Sequence, residues 1–208
     1  MISNDERFTL RTTLSSPYGR KLRIAAEVLG LSKRIAIEPA DTSDENDTIR
    51  QQNPLGKMPC LVRSDGSSLF DSSVILEFLQ YVAGTDRLLP LNGPDRFPML
   101  TQTRLADGII DAGALVLYEH RYHEPTQVSE RWLGHQRGKM HRALSTFEAV
   151  PPDPQITNAV SIGLACALGF LDKRKPVEWR PSCPSLADWY EAFVANEPAF
   201  ELTRPPAP

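Results

Sequence analysis

The sequence is short of cysteine, of long apolar runs and of excess positive charge, and each shortage excludes something. Three cysteines occur in 208 residues, Cys60, Cys166 and Cys183, and no two form a CxxC pair. An odd number at such wide spacing cannot all be bridged, so free thiols in a reducing compartment are expected. No apolar stretch approaches the length that spans a membrane, and the opening MISNDER is too polar for a signal peptide. The expected location is therefore the cytoplasm, with no membrane partner. The formal net charge of −3 supplies no global basic field, so nucleic acid is not an expected partner. A glycine-rich phosphate loop and a dinucleotide fingerprint are also missing.

What remains is ordinary for a globular protein, with 41% hydrophobic and 24% charged residues, enough for one large or two small domains. The 18 prolines cluster at 151–154, 176–184 and 198–208, where they punctuate loops and a tail. Phe8 to Thr12 reads as a short strand. Ser15-Ser16-Pro17 then starts a helix, with Ser16 as N-cap and Pro17 in first position. Leu22, Ile24, Ala25, Val28 and Leu29 give that helix an apolar face, and Gly30 stops it. Arg34 to Glu38 alternates like a second strand. Residues 41–52 are polar and acidic, a short exposed helix or a loop.

The most informative stretch is Asn53 to Phe78, NPLGKMPCLVRSDGSSLFDSSVILEF. Asn53-Pro54-Leu55-Gly56 is a turn, since Pro fixes φ and Gly tolerates positive φ. Cys60-Leu61-Val62 and Ser67 to Phe70, separated by Ser64-Asp65-Gly66, read as a hairpin. Asp71-Ser72-Ser73 then precedes Val74, Ile75, Phe78, Leu79 and Val82, apolar positions at helical spacing. A cis bond at Met58-Pro59 would aim the Met58 backbone N–H and C=O sideways like a strand edge, able to pair with an extended peptide. Asp71-Ser72 lies at a helix N-terminus, where free N–H groups favour a carboxylate. The plain alternative is a hairpin followed by an ordinary helix cap.

Beyond a linker at 85–96 the pattern turns helical. Phe97 to about Tyr122 is one long segment and Thr126 to Phe147 a second. Pro151-Pro152-Asp153-Pro154 breaks the chain, with Asp153 as expected N-cap of the most apolar helix, residues 155–172. Ser185-Leu186-Ala187-Asp188 reads as a capping box opening a last helix through Phe193.

NPLGKMPCLV followed by LFDSSVILEFL closely resembles the glutathione-binding half of the cytosolic glutathione transferases, of the serine-type, bacterial-like kind. PSLADWYEAFVANEPAFELTRPP resembles the family's closing helix. Two departures stand out: Asp71 where many relatives have Glu, and Thr157 followed by Val160 where many have Ser/Thr-x-x-Asp. The resemblance implies the glutathione transferase fold, an α/β thioredoxin-like N-terminal domain at 1–84, then an all-α helical domain at 97–208 lining a second-substrate pocket. It further implies a detoxifying homodimer with glutathione as co-substrate and no metal. Met58 would pair with the cysteinyl backbone of glutathione after a cis Pro59, Asp71 and Ser72 would hold its γ-glutamyl end, and Lys57 could meet a carboxylate. Asp107, on the first long helix, would be a helix-surface or pocket-wall charge.

A bound thiol needs activating, because a reference pKa of about 8.5 leaves only a few per cent thiolate at neutral pH. The SPYGRKLRI stretch resembles classes with a reactive Ser or Cys just before Pro, which assigns that role to Ser16. Classes with the hydroxyl one residue earlier make Ser15 the alternative, and a purely structural N-cap is the third reading. Serine in place of cysteine excludes a mixed disulfide at this turn and favours conjugation to a small electrophile. The rival functions are a non-catalytic glutathione-binding or partner-docking protein and a glutathione-dependent reductase or lyase.

Overall fold

The computed structural model describes residues 6–206. The chain divides into two compact units, one up to Gly93 and again from Pro198, the other from Pro94 to Glu197.

The first unit is built on a four-stranded sheet in the order β2-β1-β3-β4, with β1 at Phe8–Arg11, β2 at Ile35–Glu38, β3 at Cys60–Arg63 and β4 at Ser68–Phe70. β1 runs parallel to β2 and antiparallel to β3, and β3 and β4 form the expected hairpin. Helices α1 (Pro17–Val28) and α3 (Ser72–Ala83) pack on each other, burying Leu22, Ile24, Ile75, Leu76 and Leu79. Phe8 reaches Phe78 of α3 edge to face at 5.7 Å. Gly30 at φ 70 and Gly84 at φ 64 end the two helices in the left-handed conformation that a side chain would oppose. The short α2 (Ile49–Gln52) buries Ile49 against Ala40 and Cys60. This is a thioredoxin-like sheet and helix unit.

Two stretches sit differently from the expected boundaries. The expected linker is anchored: the buried Gln80 amide donates to the Leu89 carbonyl at 2.7 Å and accepts from the Leu88 and Leu89 N–H groups at 2.9 and 2.7 Å. The closing helix α8 (Pro198–Leu202) belongs to the first unit, not the second. The buried Arg20 guanidinium stacks 3.6 Å from the Phe200 ring centroid and donates to the Phe200 carbonyl at 2.7 Å. A stacked, hydrogen-bonded arginine ties the tail to α1.

The second unit is helical: α4 (Arg96–Tyr122), α5 (Glu130–Ala149), α6 (Ala159–Arg174) and α7 (Pro184–Asn196). α6 is buried along most of its length and packs on α4, where a Cβ on Gly113 would lie 2.6 Å from the Phe170 ring. Asp153 does not cap α6. It accepts from Gln155 N–H in a local turn, and α6 starts later, at Asn158. Asn158 and Ser161 cap each other reciprocally, one residue past the register of the family pattern, satisfying more groups than Asp153 could. The expected capping box at Ser185 is also replaced. Glu148 from α5 accepts from the Ser185 and Leu186 N–H groups at 3.0 and 2.8 Å, which holds its carboxyl below the usual range. Among the described residues no helix is long and apolar enough to cross a membrane.

Candidate functional site

The strand registers bring three sequence motifs to one end of the sheet. Arg11 pairs with Cys60 and Cys60 with Phe70. The turn after β1, the Met58-Pro59 segment before β3 and the Asp71-Ser72 start of α3 therefore converge.

The turn after β1 leads into α1. Ser16 is its N-cap, with Pro17 in first position, and the Ser16 hydroxyl oxygen accepts from Gly19 N–H at 3.1 Å. An N–H donated to the oxygen fixes the hydroxyl's position and leaves its own proton for another acceptor. Ser16 is half-buried. Ser15 is exposed and its hydroxyl lies 3.3 Å from that of Thr13, a neighbour that competes for its proton. Gly19 decides how closely α1 approaches β1, since a Cβ there would lie 2.1 Å from the Thr12 hydroxyl.

The Met58-Pro59 peptide bond is cis. The turn before it is tied by Asn53, a buried residue whose side-chain amide donates to the Lys57 carbonyl at 2.8 Å and accepts from Leu55 N–H at 3.0 Å. Gly56 supplies the expected positive φ of 61. The Met58 sulfur accepts from the Thr13 N–H at 3.4 Å, a direct link between this segment and the Ser16 turn. No hydrogen bond among the described residues engages the Met58 backbone. Lys57 is exposed beside it.

Asp71 caps α3 with φ 72, a conformation L-residues rarely adopt, and accepts from Ser73 N–H at 2.8 Å. Such backbone costs of the order of 1–3 kcal/mol and persists where the surroundings enforce it. Ser72 is buried at the first turn of α3, the positive end of the helix dipole.

Sequence reasoning passed over Gly19 and Arg11, and read Asn53 only as the first residue of a turn. Arg11 is buried and holds the 39–52 segment by donating to the Pro39 carbonyl, Thr48, Gln52 and Asp47, the last at 2.7 Å. Asp47 also accepts from the backbone N–H groups of Asp41 and Ile49, and these bonds, with Arg11 after them, keep its carboxyl below the usual range. An asparagine before proline in a turn was a readable signal for Asn53. An arginine ending a strand carries no such signal.

Cys60 is buried, and burial pushes its thiol up and away from reactivity. Asp107 is fully buried and paired with Arg104 at 2.9 Å, so it is no surface charge. Tyr118 and Tyr122 meet edge to face at 5.8 Å with both rings exposed, and Trp132 stacks on His135. His123 contacts Glu119 at 3.5 Å.

The family model for the glutathione S-transferase N-terminal domain matches residues 15–81, the span holding all three motifs. The uncharacterized GST-like protein YibF of Escherichia coli K12 is 32% identical over 197 residues, 92% of this chain and 96% of that protein. The chain belongs to the glutathione S-transferase family. Among solved transferases, a family member from Pseudomonas fluorescens Pf-5 with bound glutathione is 39% identical with a TM-score of 0.89, over 96% of this chain and all of that one. The same bacterium's family member with bound S-(propanoic acid)-glutathione gives 38% and 0.85, over 96% and 100% of the two chains. A glutathione S-transferase from Methylobacterium radiotolerans in complex with glutathione sulfonate is 31% identical with a TM-score of 0.83, over 97% of this chain and 96% of that one. The transferase fold expected from the motifs is the fold found.

Proposed function

We propose that this protein is a glutathione transferase that binds the tripeptide across the Met58, Asp71 and Ser72 segments and uses Ser16 to stabilise its thiolate. One observation carries the reading: the Ser16 hydroxyl, oriented by Gly19 N–H, stands at the N-terminus of α1 at the end of the sheet where the peptide-binding motifs meet. Relatives at 31–39% identity hold glutathione or its derivatives, which supports the co-substrate.

The Met58 N–H and C=O suit pairing with an extended peptide backbone. Asp71 supplies a negative charge for an amino group. Ser72 and the first N–H groups of α3 suit the adjoining carboxylate, and Lys57 can meet the other one. Ser16 donates to sulfur. A charge-assisted hydrogen bond is worth about 1.5–3 kcal/mol, and a pKa unit about 1.4, so Ser16 alone lowers a thiol pKa by one to two units. That brings a value of about 8.5 to near neutrality. The thiolate then forms a C–S bond to a small alkyl or aryl electrophile, and any leaving group departs with its bonding pair. Ser16 is the donor; Ser15, exposed and beside Thr13, is the substitute.

The reading extends to a cytoplasmic homodimer with a detoxifying role. Phe70, Val74 and Tyr81, exposed apolar residues of β4 and α3, support the dimer. Calorimetry with glutathione, followed by thiolate addition to a panel of aryl halides, epoxides and enones, tests the proposal. Saturable heat with turnover is expected. No heat sinks it, while heat without turnover leaves a non-catalytic binder, and turnover of disulfides alone leaves a reductase.

A further inference from the structure

The Met58 side chain sits between an apolar cluster and a polar turn. It is half-buried and packs against Ala40, Ile49 and Cys60, while its sulfur accepts from the Thr13 N–H at 3.4 Å. Thioether sulfur is a polarizable packing group and a weak acceptor, so one side chain serves both contacts. The sulfur contact continues along the chain. Ser16 N–H donates to the Thr13 carbonyl at 3.2 Å, and the Ser16 hydroxyl accepts from Gly19 N–H at 3.1 Å. Met58 thus holds the first link in a short series of bonds that ends at the Ser16 hydroxyl.

The other sulfurs among the described residues are placed differently. Met140 is fully buried, and Cys60, Cys166 and Cys183 are buried thiols. Met99 is half-buried, and no hydrogen bond among the described residues ends on its sulfur. Met58 is therefore the methionine that is both partly open to solvent and tied to a backbone N–H. An oxygen added to its sulfur finds no place in these contacts. The 3.4 Å between sulfur and the Thr13 nitrogen has no room for another atom, and the apolar cluster disfavours an unpaired S=O. The sulfoxide must swing out, and the Thr13 N–H loses its acceptor.

We infer that Met58 is a modification site, oxidised reversibly by hydrogen peroxide or an organic hydroperoxide, and that its sulfoxide loosens the Ser16 turn. The sulfur gives an electron pair to the terminal peroxide oxygen, and the S–O bond forms as the O–O bond breaks. The other oxygen leaves with the proton, as water or an alcohol, so sulfur is oxidised and the peroxide reduced. The effect on chemistry rests on the role proposed for Ser16. A hydroxyl displaced from the thiolate stops stabilising it, while Asp71 and Ser72 keep their places, so kcat falls more than glutathione affinity.

The test is brief treatment with hydrogen peroxide, quenched with catalase, then peptide mass spectrometry, amide hydrogen exchange and a turnover assay. Met58 sulfoxide should form ahead of Met140 sulfoxide, with faster exchange over the peptide that holds Thr13 and Ser16. Turnover should fall about tenfold or more, the scale on which a misplaced catalytic group acts. Methionine sulfoxide reductases with dithiothreitol should restore it, and dithiothreitol alone should not. Met58→Leu, a volume-conserving replacement without the acceptor, starts from its own basal rate and should lose none of it to peroxide. Met99→Leu should stay as sensitive as the wild type. If the untreated protein turns over no electrophile, the transferase reading falls and the exchange rates alone decide the oxidation site. Unmodified Met58 beside oxidised Met99, unchanged exchange in the Met58 sulfoxide, recovery with dithiothreitol alone, or equal loss in Met58→Leu would each overturn the inference.

Discussion

Two helix starts in this protein use the same capping chemistry and reach different ends. At the start of α6, Asn158 accepts from Val160 and Ser161 N–H groups at 2.9 and 3.0 Å. Ser161 in turn accepts from Asn158 N–H at 2.9 Å and donates to the Ile156 carbonyl at 2.8 Å. Every strong donor and acceptor of that pair of side-chain oxygens is spent inside the fold. At the start of α1, Ser16 accepts from Gly19 N–H and no acceptor among the described residues takes its proton. The first cap is closed and serves stability. The second is open, and in the proposed function its oriented hydroxyl, with a proton to give at a helix N-terminus, serves an anion. On that proposal, what separates a structural serine from a chemical one is the number of its hydrogen bonds left over.

The comparison breaks most sharply at Ser16. Ser16→Ala should lower turnover about 100-fold, the scale on which a lost anion donor acts, while glutathione affinity measured by calorimetry holds. Its pH–rate profile should move up by about one to two units, because the thiolate loses its stabiliser. Unchanged turnover would hand the role to Ser15 or to backbone N–H groups.

Gly19→Ala comes next. Its methyl group would meet the Thr12 hydroxyl, so α1 must shift, at a cost of about 1–3 kcal/mol in urea unfolding. Turnover should fall with it, as the shift carries the open cap away from the sheet end. A variant with full activity would show that the close approach of α1 is dispensable.

Asn158→Ala, at the closed cap, should cost about 1 kcal/mol of stability, a fall in Tm of about 2–4 °C, with kcat and KM of the remaining folded protein unaltered. A loss of kcat at constant stability would dissolve the contrast between the two caps.

The smallest effect belongs to Asp47, whose folded pKa is lowered by the Asp41 and Ile49 N–H groups and Arg11. A lowered carboxylate pKa contributes stability above the unfolded value of about 3.9 and loses it as pH falls through the folded one. The stability difference between wild type and Asp47→Asn should therefore be steady above about pH 4 and shrink as pH falls further, through the lowered folded value. A difference that persists into acid would mean that Asp47 acts by packing alone.

Much of this was legible along the chain. Ser16-Pro17 announced an N-cap, Gly30 a helix stop and Asp65-Gly66 a hairpin, because each depends on a local φ preference or a short-range hydrogen bond. The start of α6 was misplaced at Asp153, since Asp-Pro and Asn-x-x-Ser are both valid caps. Only the pairing of Asn158 with Ser161, five residues on from Asp153, chose between them. Glu148 capping α7 and Arg20 gripping Phe200 had no local trace at all, their partners lying 37 and 180 residues away.

By itself, then, the sequence determined the elements and the order of the motifs, which follow from local conformational preference and residue spacing, and the resemblance of those motifs to known transferases pointed to the family. Tertiary structure alone decided that Ser16, Met58 and Asp71 come to one end of the sheet, that the last helix returns to the first unit, and that the Met58 sulfur meets the Thr13 N–H. Those outcomes turn on which donors, acceptors and charges meet across long loops, and a linear pattern does not encode that distance.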